Sequence, residues 1–348
     1  MNQKTKGAWI IHHCYKLQGV TNAPNIYDQL LYSGKCGVIL NALASSDERE
    51  ITNKRVNTLA KAAGISVKLE LPSILEELER QKLIDSGSKS IQILGLTTSE
   101  TLEHSATIYD ESEPTKEENV AINLSEKVSD LPIKSKDACE KIEDKYHITS
   151  IQCKNLINEF ESIGFIDSEN AGKDDLLFNG NLFRRKDIQK VNGVLSSLTH
   201  AEESKVRDLM AMLESNGCIS YDLVLRLTGS KLLAKLVSIS FIDVNKIGNE
   251  SGIFAFITRP AAFKKYSNSL VDDAFDLAKA FVTSVTYGMT IRSSSQGRIR
   301  MVERLMKKLI DGAWVGPATA IGQDYRVLEL KGVIEVCPSR DVLYSKLN

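Results

Sequence analysis

The sequence has no run of 18 apolar residues, so no membrane-spanning helix and no membrane partner are expected. It has no C-x-x-C pair; Cys14, Cys36, Cys139, Cys153, Cys218 and Cys337 are scattered singly. That spacing suggests neither a zinc site nor a disulfide framework, and the cysteines read as small buried hydrophobes. A Gly-rich phosphate loop, H-E-x-x-H and G-x-S-x-G are all missing. No catalytic set, cofactor site or metal site stands out, and a non-enzymatic protein is expected. The nearest approach to a metal fragment is His12-His13-Cys14. Read as part of a strand over Trp9 to Leu17, its two histidines point to opposite faces, and the two ligands left on one face do not make a site. The polar start, Met1 to Lys6, leads into only four apolar-rich residues, Ala8 to Ile11, before His12. That is too short for a signal peptide, and a cytoplasmic protein is expected.

Composition is otherwise ordinary, with 42% apolar and 26% charged residues in 348, enough chain for two to four domains. The net charge of −1 is unevenly spread. Residues 111–183 carry 8 basic and 16 acidic groups, a net of −8, whereas residues 184–348 carry 24 and 17, a net of +7. A polyanion would meet two different surfaces.

The strongest internal signal is a phrase that occurs four times: an amphipathic helical stretch runs into an apolar pair and an acid. The copies are Leu83-Ile84-Asp85, Phe165-Ile166-Asp167, Phe241-Ile242-Asp243 and Val333-Ile334-Glu335. Their separations of 82, 76 and 92 residues (165−83, 241−165, 333−241) suit small domains better than a solenoid. Around each copy the pattern is helix, turn, helix, then a strand–turn–strand hairpin. The third helices before the four phrases fall at about Glu70–Gln81, Ser150–Ser162, Lys231–Val237 and Gln323–Lys331. The fourth unit also matches the third at its start, Val206 to Leu213 against Val302 to Leu309.

This pattern resembles the tandem winged helix-turn-helix proteins, a fold that binds DNA and also pairs proteins. The resemblance implies a mainly α fold with small β-hairpin wings (α+β). It divides the chain into residues 1–105 (unit 1 with an N-terminal strand), an acidic linker at 106–119, and unit 2 at 120–183. Unit 3 then covers 184–268, a bridging helix and flexible joint 269–297, and unit 4 residues 298–348.

Phosphate contact requires Lys and Arg. The third helices of units 1 and 2 are net acidic and that of unit 4 is neutral. Only unit 3 offers a basic one, with Arg226, Lys231 and Lys235, and Lys246 in its wing loop. The densest cationic stretch is Arg292, Arg298, Arg300, Arg304, Lys307 and Lys308, with Arg300, Arg304, Lys307 and Lys308 on one side of a helix over about 298–308. These ten residues are the candidate nucleic-acid contacts. The leading expectation is a transcriptional or DNA-docking regulator that binds double-stranded DNA through its basic C-terminal half. The alternative is an adaptor in a multi-protein complex, of the phage-defence or mobile-element kind, that uses its winged helices on protein partners. Either is compatible with a homo-oligomer.

Overall fold

The protein was analysed as a computed structural model. It describes residues 1–20, 25–46, 50–87, 89–94, 98–170, 172, 174–266, 272–316, 323–339 and 342–347. The chain is mainly helical with small antiparallel sheets, and it divides into two compact units, Met1–Gly180 and Asn181–Asn348. No helix among the described residues is long and apolar enough to cross a membrane.

In the first unit, α1 (Gln3–Gln18), α2 (Asp28–Ala44) and α5 (Thr98–Glu111) pack together. Between α2 and α5 lie β1 (Glu50–Thr52), α3 (Asn53–Ala62), α4 (Leu71–Arg80), β2 (Ile84–Ser86) and β3 (Ser90–Ile93). The same order returns as α6 (Lys116–Asp130), β4 (Ile133–Lys134), α7 (Ser135–Tyr146), α8 (Ser150–Ile163), β5 (Asp167–Asn170) and β6 (Asp175–Phe178). The second unit opens with α9 (Ile188–Ser196) and repeats the order again. The elements are α10 (His200–Asn216), β7 (Cys218–Ser220), α11 (Tyr221–Thr228), α12 (Ser230–Ser238), β8 (Asp243–Asn249) and β9 (Gly252–Thr258). After the short α13 (Ala261–Lys264) and the long α14 (Asp272–Thr290) come α15 (Val302–Ile310), α16 (Arg326–Leu330), β10 (Ile334–Ser339) and β11 (Val342–Leu347).

The three complete copies share one sheet order: the strand between the first two helices pairs with the last strand, giving β1-β3-β2, β4-β6-β5 and β7-β9-β8. The fourth copy retains the β10-β11 hairpin. In the first copy one core joins Ile39, Leu40 and Leu43 of α2, Val56 and Ala60 of α3, and Ile74 and Leu78 of α4 to Ile51, Ile84 and Ile91 of the sheet. The helices expected over Glu70–Gln81 and Ser150–Ser162 are α4 and α8, and each expected hairpin is present.

Several expectations fail. Trp9 to Leu17 is not a strand but most of α1: Trp9, Ile10, His13, Cys14 and Leu17 are buried at spacings of 1, 3, 1 and 3, a helical period. The 106–119 segment is not a solvated linker. Ala106, Ile108 and Tyr109 are buried on α5, and Glu118 closes a capping box on Thr115 at the start of α6. Its buried carboxylate also accepts the Leu30 N–H at 2.7 Å, so an acid that looked solvated ties α6 to α2. The joint at 293–297 is a hydrogen-bonded 3-10 turn that Gly297 ends at φ 87°.

The fourfold phrase has one backbone cause. Just before it, Lys82, Gly164, Ser240 and Gly332 all adopt positive φ, at 58°, 84°, 55° and 70°. The following N–H then reaches back to the carbonyl five residues earlier: Leu83 to Leu78, Phe165 to Phe160, Phe241 to Leu236 and Val333 to Leu328, at 2.8–3.0 Å. The left-handed residue bonds in turn to Glu79, Glu161, Val237 or Glu329. This is the Schellman closure, which ends each third helix and turns the apolar pair into the core. Two copies use glycine and two do not. Lys82→Gly and Ser240→Gly should each stabilise the protein by about 1 kcal/mol, since an L side chain in this region costs roughly that much. Urea midpoints check this, and no gain at either position would refute it.

Candidate nucleic-acid interface

The expected basic helix exists as α15, but it starts at Val302 rather than near 298. Leu309 is buried and Val302, Leu305 and Met306 are half-buried, which fixes the opposite side as solvent-facing. There Arg304, Lys307 and Lys308 stand at i, i+3 and i+4, all exposed. None makes a hydrogen bond or ion pair among the described residues. These three cations share that side with exposed Glu303 and Asp311, so the face carries a net of +1 (3 − 2) in a unit whose net charge is +7.

The other candidates separate into groups. Arg298 and Arg300 precede the helix and are exposed, yet both are tethered: Arg298 Nε donates to the Met289 carbonyl at 3.0 Å and Arg300 Nη2 to Ser294 Oγ at 2.8 Å. They flank the α15 face without continuing its ridge. Lys235 is half-buried and pairs with Glu202 at 3.1 Å, holding α12 on α10. Arg292 is withdrawn completely: its side chain and that of Asp324 are each 3% exposed and joined by two hydrogen bonds of 2.9 and 2.6 Å. Arg292 is not placed to meet phosphate, because its charge is matched in a buried pair; the Lys235 side chain remains 37% exposed beside Glu202. Arg226 and Lys231 are exposed on α11 and α12 and leave two free cations there. Lys246 is exposed within strand β8, not in a wing loop.

The exposed faces of the third helices also differ. α4 presents Glu76 and Glu79. α8 presents Lys154, Asn155 and Asn158, and Ile151 is 74% exposed. α16 presents Val327 and Leu330, 59% and 76% exposed. These aliphatic residues stand where a DNA-reading helix would need polar ones.

Two arrangements were not visible in the sequence. His13 of α1 is fully buried; its Nε2 lies 3.1 Å from Ser125 Oγ of α6 and its ring stacks on Phe165 at 4.1 Å. Burial first, and then His12, holds its pKa well below the ordinary histidine value, so it packs as a neutral ring. This His–Ser pair is sealed in the core and joins α1 to α6. The second arrangement is an open cleft of about 810 Å³ in the 181–348 unit, between β8, α14 and α16. Its walls come from segments 80 residues apart, a juxtaposition that no local pattern announces. Among the described residues, no three His, Cys, Asp or Glu side chains converge as a metal site. No protein-family model and no curated protein matches the chain.

Proposed function

We propose that this is a tandem winged-helix protein that docks on duplex DNA through its C-terminal unit, by recognition rather than chemistry. The helix–strand–helix–helix–strand–strand order, with its first strand paired to its last, supports the fold reading. The observation that carries the DNA reading is the exposed, unpaired trio Arg304, Lys307 and Lys308 on α15. Arg298 and Arg300 stand beside it, and Arg226 and Lys231 add cations elsewhere in the same unit. Lysines and arginines on one helix side fit the phosphate backbone and carry little sequence information. The expected mode is therefore phosphate docking with weak base preference.

The test is duplex binding across a salt series. Each phosphate contact contributes about 0.9 to the slope of log affinity against log salt, so replacing all three residues by Ala should lower its magnitude by about 2.7. Affinity at low salt should fall roughly ten-fold or more. An unchanged slope removes α15 from the interface, and no binding at low salt removes the DNA reading.

A second reading, an adaptor that binds proteins, is favoured by the exposed aliphatic pair Val327 and Leu330 of α16, by the single exposed Ile151 of α8 and by the acidic face of α4. Acidic helices repel phosphate, and exposed aliphatic side chains gain by burial against a partner. Co-elution with a co-expressed partner supports this reading, and separate elution counts against it.

A further inference from the structure

The cleft beside β8 has an unusual wall. Seven consecutive residues, Val244 to Glu250, line it. Side chains of a strand alternate between faces, so an unbroken run means that the strand presents its edge to the space. The order β7-β9-β8 puts β8 on the outside of its sheet, paired only with β9 from Asp243↔Thr258 to Asn249↔Gly252. Its outer backbone groups have no backbone partner among the described residues. The strand is nevertheless pinned at both ends. Asp243 pairs with Lys279 of α14 at 3.0 Å, and Asn249 Nδ2 donates to Asp324 Oδ1 at 3.1 Å. Ile247 packs with Tyr287 and Val282 of α14 on the sheet face, and the cleft beside the strand is bounded on the α14 side by the small residues Ala280, Thr283 and Ser284. The gap is an exposed strand edge with space beside it, the arrangement to which another strand adds.

The charges around the cleft indicate which strand it accepts. Most are matched. Burial alone would lower the Lys279 pKa, but Asp243 and Asp276 outweigh it and raise it, so Lys279 stays a paired cation. Asp324 is held by Arg292. Glu250 accepts from Gln323 at 2.8 Å. That amide is neutral, so Glu250 keeps its charge at the Asn249 end of the strand, and two cations, Lys246 and Arg326, both exposed and neither with a partner among the described residues, outnumber it. Beside them Val327 and Leu330 offer aliphatic surface. The five residues between the pins span about 17 Å at ~3.3 Å each, room for a segment of similar length.

We propose that this cleft binds a short, extended acidic segment of a partner protein, which adds to the edge of β8 as a fourth strand. Its carboxylates meet Lys246 and Arg326, and its aliphatic residues lie on Val327 and Leu330. A peptide supplies both N–H donors and carbonyl acceptors to a strand edge, whereas a phosphate chain supplies only acceptors. That difference favours a peptide over nucleic acid here, and it separates this site from the α15 face.

The test uses the full chain and two labelled heptapeptides, one alternating glutamate with valine and one with lysine in place of glutamate. Anisotropy titrations should show the acidic peptide binding at least ten-fold tighter, and it should slow amide exchange within Val244–Asn249. The exposed pair Lys246→Glu and Arg326→Glu should reverse the preference. Ala280→Trp, which fills the cleft, should abolish binding of both peptides. Equal binding of the two peptides, or protection that spares β8, overturns the proposal. Duplex DNA protecting the same amides overturns it as well, and reassigns the cleft to phosphate.

Discussion

Arg292→Ala should destabilise the 181–348 unit by about 3–5 kcal/mol, the cost of leaving one partner of a buried ion pair alone. Arg292 follows α14 directly and reaches Asp324 just before α16. Its Nη2 also donates to Gln323 at 2.8 Å, and its guanidinium lies 5.3 Å from the Tyr287 ring centre. Asp324 in turn accepts from Asn249 of β8, and its backbone carbonyl accepts from Ser284 of α14. One ion pair therefore joins three elements. Without the guanidinium, the Asp324 carboxylate keeps a single neutral donor in a site closed to water. The double variant Arg292→Met, Asp324→Leu should recover most of the loss, since the desolvation cost of both charges disappears with them. Urea unfolding followed by Trp314 fluorescence in a Trp9→Phe background reads this directly. A loss below about 1 kcal/mol in the single variant would show that water reaches the pair.

The same residue shows where sequence reading stops. Arg292 counted as a phosphate contact because it is basic and stands near other basic residues, but its partner lies 32 residues away. Lys235 likewise has a partner that no local pattern shows, Glu202 across 33 residues, although it stays partly exposed. Arg304, Lys307 and Lys308 keep their predicted exposure because helical spacing alone fixes which side of α15 they occupy. The mainly helical order with small antiparallel hairpins was legible for the same reason. In the first copy the accepting carbonyl of Leu78, the left-handed Lys82 and the apolar pair Leu83-Ile84 lie within residues 78–84, so the signal survives in a linear pattern. The first strand of each copy, β1, β4 or β7, has only two or three residues and left no periodicity to read. At 106–119 composition misled: acids suggested solvent, whereas Glu118 is a buried cap. The cleft beside β8 was illegible because its two sides meet only in the folded unit.

Gly7→Ala should cost about 3 kcal/mol or more, although alanine is the better helix former. The expected N-terminal strand gave Gly7 no role. In α1 it lies where that helix crosses α5, and a Cβ there would sit 1.8 Å from the Leu102 carbonyl oxygen and 2.6 Å from its carbon. Ordinary carbon contacts need roughly 3.5–4.0 Å, and a backbone carbonyl cannot swing aside as a side chain can. The helices would have to separate, opening the contacts of Trp9 and Ile10, both buried in this core. Gly193 is the control: it lies within α9, is exposed, and has nothing within 4 Å of a built Cβ. Gly193→Ala should therefore stabilise by about 0.5–1 kcal/mol through helix propensity. Opposite signs for one chemical change at two helical glycines would establish that α1 and α5 pack backbone to backbone. Urea midpoints by circular dichroism decide it: a neutral or stabilising Gly7→Ala would mean that α1 does not lie against α5 as described.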